Sequence, residues 1–136
     1  MSEENKALIR RWFEQVWNQG KSNVIDELLT SDVIIHGLVD GAGNPVHGLS
    51  AFHAFHSQFR GAFPDIRVNV DDVIAEGDRV VARCSVRGQH TGEHLGFAAT
   101  NAPIEFGGVA IVRITDGKIA EASRNLPALF GRLPPN

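Results

Sequence analysis

The sequence predicts an α+β fold, with helices in the first half packed on one face of a strongly curved antiparallel or mixed sheet that encloses an apolar space. A change of rhythm carries the prediction. Before Pro64 apolar residues recur at steps of three and four, the period of a helix; from Ile66 they alternate, the period of a strand. Long strands broken by glycine then predict a sheet bent enough to wrap around something. The concave side of such a sheet, closed by helices, is a natural pocket.

Each element has its own signal. Residues 3–19 read as a helix, because Leu8, Ile9, Trp12, Phe13, Val16 and Trp17 form one wide apolar stripe. Ser2 can cap its start and Gly20 its end. A short helix follows at about 22–30, with Val24, Ile25, Leu28 and Leu29 inward, and the brief connection makes a helical hairpin. Val33–Gly37 is a β-branched apolar run and reads as a strand; 40–45 is a turn. The third helix spans about 50–62, with Phe52, Phe55, Phe59 and Phe63 on its core face and Pro64 at its exit. His53, His56, Ser57 and Arg60 fall on the opposite, solvated face. Strands are expected over 66–75, 79–90 and 104–114, the last with a bulge or bend at Gly107–Gly108, and a final strand follows the Asp-Gly turn at 115–118.

Composition narrows the partners. A chain of 136 residues suits one domain with its own core, here 1–136, with 131–136 expected to fray. Hydrophobic residues make up 43% and charged residues 21%, an ordinary balance for a globular protein. The net charge of −3 argues against nucleic acid or an anionic membrane as the partner. The polar start MSEENK is no signal peptide, and no apolar run reaches the length of a membrane span. The single cysteine, Cys84, excludes an internal disulfide and reads as a small buried hydrophobe, so a cytoplasmic home is expected.

HTGEH, residues 90–94, has the spacing of a zinc-peptidase motif. That chemistry needs both histidines on one helical face. Here the segment ends a strand, among Gly88, Gly92 and Gly96, and glycine is a poor helix former. No metal site is therefore expected.

The chain resembles the SnoaL-like polyketide cyclase family, within the nuclear transport factor 2-like superfamily. The resemblance rests on RRWFEQVWNQG, IDELLTSDVIIHG, FRGAFPDIRVNVDDVIAEGDRVVAR, GQHTGEHLGF and IEFGGVAIVRITDGKIAEA, in that order and over nearly the whole chain. It implies a cone-shaped α+β barrel around a deep apolar cavity. It implies intramolecular aldol ring closure without metal or organic cofactor, in which a cavity side chain removes a proton beside a carbonyl and donors steady the enolate. It also implies a homodimer through the outer sheet face.

The last strand departs from the family pattern. Glu121 is present, but Ser123 stands where tryptophan is expected, Arg124 follows, and Pro127 falls near the usual acid/base aspartate. An inward Ser123 would enlarge the pocket, and Arg124 would favour an anionic ligand. With the carboxylate gone, His36, which closes the apolar strand, and His90, on the inner parity of its strand, are the candidate catalytic groups. Trp12, Phe13, Trp17 and Phe55 are the candidate aromatic lining, with Arg113, Ser123 and Arg124 as polar ligand-binding candidates. Two functions follow as expectations. One is a cofactor-free cyclase or isomerase acting on a small ketone; the other is a non-catalytic protein that binds a small apolar or anionic molecule in the same cavity.

Overall fold

The computed structural model describes residues 2–39, 45–92 and 100–125; the side chains of 2, 37–39, 45, 124 and 125 fall outside that description. The expected turn at 40–45 therefore lies largely outside the described residues, as do His94, Pro127 and the tail.

The helices begin with α1, Ser2–Arg11, which continues as a π-wound segment, Trp12–Asn18. Gly20, with φ of 70°, ends it in the left-handed conformation that glycine adopts without strain. A 3-10 turn, Ser22–Val24, leads into α2, Ile25–Leu28. The chain then enters β1, Leu29–Val39, and β2, Pro45–His47, before α3, Leu49–Ala62. Four strands complete it: β3, Arg67–Glu76; β4, Arg79–Gln89; β5, Pro103–Thr115; and β6, Lys118–Asn125.

The strands form one mixed sheet in the order β2-β1-β6-β5-β4-β3. β1 runs parallel to β6, and the other pairings are antiparallel. The first and last long strands thus meet in the middle of the sheet. The β5–β6 turn holds Asp116 at φ 52° and Gly117 at φ 77°, the twin positive angles of a two-residue hairpin that follows the strand twist.

Alternation decides the two faces. Val80, Ala82, Cys84 and Val86 of β4 are buried, while Arg79, Arg83, Ser85 and Arg87 are exposed. The inner side chains of β1, β3, β5 and β6 join them beneath α1, its π-wound continuation and α3. The bulge expected at Gly107–Gly108 is corrected: β5 pairs there without interruption, Gly107 opposite Ser85 and Gly108 opposite Cys84. The register instead shifts between Val70 and Asp72 and between Arg113 and Ile114. The solvated face expected for His56 is corrected as well, since that ring is buried at 4% exposure.

Beyond β4 the backbone docks on the end of α3. The Thr91 and Gly92 N–H groups both donate to the Ala62 carbonyl at 3.1 Å. A Cβ at Gly92 would collide with the Gly61 carbonyl oxygen, so this approach requires glycine. Gly92→Ala is therefore expected to lower unfolding stability by about 2 kcal/mol in urea titration, with exposed Thr91→Ala close to neutral.

Candidate functional site

Helices and sheet meet around a small apolar void. Its floor is Ile35 of β1, Ala110 and Val112 of β5, and Ile119 and Ala122 of β6; its roof is Trp12, Phe13 and Trp17 of the π-wound segment with Phe52 of α3. Its volume is ≈ 20 Å³, room for about one water. The deep cavity expected from the sequence is not shown at this place among the described residues, where four aromatic rings roof the small void. Trp12, Phe13 and Trp17 do form its wall. Phe55 does not; it lies tilted against Phe59 at 5.8 Å and meets Trp17 edge-on at 6.3 Å.

The π winding explains how the roof is held. A wider turn leaves carbonyls near its end without the usual i−4 donors. Gln19 N–H reaches Glu14 O at 3.0 Å, five residues back, and Lys21 N–H reaches Gln15 O at 2.9 Å. Side chains of α3 take the next two carbonyls: His56 Nε2–H donates to Val16 O at 2.7 Å, and Arg60 Nη1 donates to Trp17 O at 3.2 Å. Asn18 turns to the sheet. Its Nδ2 donates to Val68 O at 2.9 Å and its Oδ1 accepts from Val68 N–H at 2.6 Å, which covers the open edge of β3. Burial pushes the His56 pKa below the usual histidine value, against the backbone bond to Val16, with further lowering from Arg60 and His53. The ring stays neutral and donates. The sequence carried a signal for this role: position 56 borders the 52, 55, 59 stripe, so it belongs to the core face.

His36 corrects its expected place. Val33 and Ile35 point inward, so Ile34 and His36 point outward, and the His36 side chain is 50% exposed. Its Nε2 lies 2.6 Å from Glu121 Oε2, and Arg113 Nε donates to Glu121 Oε1 at 3.1 Å. These bonds, His36 first, hold the Glu121 carboxyl below its ordinary pKa. Arg113 is spent on this outer cluster and on Thr115, 3.0 Å away. Ser123, opposite His36 and exposed, is also outside, so its small size does not enlarge the void. The Arg124 side chain lies outside the described residues.

His90 follows β4 and is 2% exposed. Its ring lies against Phe63, centroids 5.2 Å apart. The Thr100 backbone N–H donates to Nδ1 at 3.2 Å, and the Thr100 hydroxyl lies 3.0 Å from the same nitrogen. A backbone N–H can only donate, so Nδ1 accepts and Nε2 carries the proton of the neutral ring. His90 adjoins the phenylalanine seam of α3 but is not part of the void wall. Thr91 and Gly92, which follow it, are not helical, so the helical face a zinc-peptidase motif needs is not formed there.

The family model for SnoaL-like polyketide cyclase matches residues 7–125. The chain belongs to the SnoaL-like polyketide cyclase family. Its fold is the nuclear transport factor 2-like, or ketosteroid isomerase-like, one. Aklanonic acid methyl ester cyclase DauD of Streptomyces sp. (strain C5) is a distant relative, 28% identical over 127 residues, which cover 91% of this chain and 76% of that protein. A solved structure assigned as a SnoaL-like polyketide cyclase, from Jannaschia sp. CCS1, is 25% identical, with a TM-score of 0.82 over 98% of this chain and 95% of that one. IdmH from Streptomyces antibioticus, assigned as a polyketide cyclase, is 26% identical, with a TM-score of 0.75 over 95% and 97% of the two chains. On the last strand of this SnoaL-like chain, Ser123 and Glu121 face away from the helices.

The neutral, buried His56 makes folding pH-dependent. The unfolded chain takes up a proton near the ordinary histidine pKa of 6.5, while the folded chain resists it, so this stability is full above that pH and is lost as pH falls below it. Urea unfolding of the wild type should show this loss between pH 7.5 and about 5.5. His56→Gln keeps a donor for Val16 O and should flatten that part of the profile.

Proposed function

We propose that this protein is a cofactor-free cyclase-type catalyst of proton transfer, acting on a ketone-containing ester of the aromatic polyketide kind. Intramolecular aldol closure, or a related isomerisation, would proceed in the apolar interior. The observation that carries this reading is the family match over residues 7–125, joined to an interior whose described walls are wholly apolar. Such an interior suits fused carbon rings and strengthens any hydrogen bond made to a developing enolate.

His90 is the residue we assign to the chemistry. With Nδ1 accepting from Thr100, the neutral ring offers its Nε2 proton, which suits polarising a substrate carbonyl and steadying the enolate. The ring acts as a donor only: water takes the proton from the carbon beside the carbonyl and returns one to the new alkoxide, so the closure involves no net proton and the His90 ring stays neutral. His36 is not assigned this role, because it faces outward and is bound to Glu121. A second reading, ligand binding without turnover, draws support from the void wall, which carries no carboxylate or imidazole among the described residues.

Turnover of a polyketide-type keto ester, followed by chromatography, separates the two readings. His90→Ala should lower kcat by about 10²-fold or more with the fold intact by circular dichroism. Equal activity in His90→Ala rejects the assignment. No turnover in the wild type, with binding retained, favours the second reading.

We also propose a homodimer through the outer sheet face. Ile34, Val109 and Ile111 are exposed there at 37%, 37% and 40%, beside the His36–Glu121–Arg113 cluster. Apolar residues grouped on an open sheet gain by being covered. In sedimentation velocity the wild type should run as a dimer and Ile111→Glu as a monomer; a monomeric wild type at 100 μM, about the top of a useful range, rejects this.

A further inference from the structure

We propose that the π-wound turn Trp12–Asn18 is the movable wall of the apolar interior, latched shut by Asn18, His56 and Arg60 and re-wound towards an α-helix when a fused-ring ligand enters. The proposal rests on the reading that this interior receives an organic molecule, and it concerns how room is made rather than what reaction follows.

Size sets the problem. Among the described residues the void of ≈ 20 Å³ is far below the roughly 300 Å³ at which organic ligands are usually enclosed, so a wall must yield for one to enter at this place. The floor is a poor candidate. Its residues belong to β1, β5 and β6, whose backbones are paired on both sides in the middle of the sheet. Phe52 is fixed within α3, a regular α-helix from Leu49 to Ala62. The remaining wall is Trp12, Phe13 and Trp17, all on the π-wound turn.

A π turn holds one residue more than an α turn and is the less stable winding. Here it is held by groups outside itself. Asn18 ties it to Val68, His56 to its Val16 carbonyl, and Arg60 to its Trp17 carbonyl. Those latches carry no part of the catalytic assignment above. If they release, the segment can wind as α and continue α1 without a break. Each later side chain then rotates, and Trp17, at the far end of the turn, moves most. The surplus residue passes into the link at Gly20, whose φ of 70° already makes it a backbone corner. The rotation carries an indole away from the floor, and the space it leaves adjoins the phenylalanine seam.

Two features make the motion measurable. Both tryptophans of the chain, Trp12 and Trp17, lie on this turn, so intrinsic emission reports on it alone. The bonds that close the turn, reaching five and six residues back, are donated by the Gln19 and Lys21 amides, so hydrogen exchange at those amides reads its opening. Deleting Gln15 removes the surplus residue and converts the turn to α with Trp17 still facing Trp12's side, a permanently closed form.

The expected results use the full chain and 1-tetralone, a fused-ring ketone. In the wild type, Gln19 and Lys21 exchange by local opening, at rates insensitive to low urea, while the Phe63 amide at the end of α3 exchanges by larger unfolding. Tetralone binds and shifts the tryptophan emission. The Gln15 deletion keeps or raises the urea midpoint, slows exchange at Gln19, and weakens tetralone binding by about tenfold or more, because the competent state is depopulated. Asn18→Ala, which loosens a latch without removing a residue, does the reverse: faster exchange at Gln19 and tighter binding. The proposal is overturned if Gln19 and Lys21 exchange together with Phe63, if the wild type takes up no tetralone to its solubility limit, or if both variants bind it as the wild type does. Absent turnover with tetralone binding and the variant pattern intact would instead reject the catalytic reading and leave this one standing.

Discussion

The indole of Trp17 is the packing contact on which the rest of this structure turns. It meets Trp12, Phe52, Phe55, Phe59 and the His56 ring at centroid distances between 5.0 and 6.5 Å, mostly edge-on. Edge-to-face contacts of this kind each add about 0.5–1.5 kcal/mol to the area they bury. Seating one large ring among so many neighbours fixes how the N-terminal helix must wind. The π turn is the consequence, and the unmet carbonyls of that turn explain why a histidine and an arginine of α3 point inward and across. The same rings roof the void of ≈ 20 Å³.

The sheet divides the chemistry of the molecule in two. Its inner face is apolar along every strand, and its outer face collects Arg79, Arg83, Arg87, Arg113, Glu121 and His36. A carboxylate between His36 and Arg113 is stable at the outer face because water assists the pairing and little desolvation is required. Inside, a charge without partners would be costly. The one described titratable ring on the inner side of β4, His90, is accordingly neutral in its hydrogen-bond pattern and anchored by Thr100.

Family membership and site chemistry stand on different footings here. The matched segment runs from within α1 through all six strands, and the fold follows from it. Glu121 and Ser123 of β6 belong to the outer face, so neither side chain reaches the apolar interior. One scaffold accommodates both a catalyst and a receptor because the apolar enclosure comes from the sheet and helices, whereas the reacting groups are single side chains on them.

Hydrophobic period determined the three helical regions and the long strands, because local spacing decides which backbone buries its apolar side chains, and the Asp-Gly turn residues determined the hairpin. Strand parity also placed His90 on the buried side, since Val80 through Val86 alternate cleanly. His36 was not legible: Val33, Ile34 and Ile35 are all apolar, and an unbroken run carries no parity. The gap between a helix and a π turn was equally invisible, because both windings bury Trp12, Phe13, Val16 and Trp17. Tertiary structure decided these matters. Which face a strand shows depends on its partner's register, how a turn winds depends on the ring it must seat, and whether a histidine is core or surface depends on which orphan carbonyl lies within its reach.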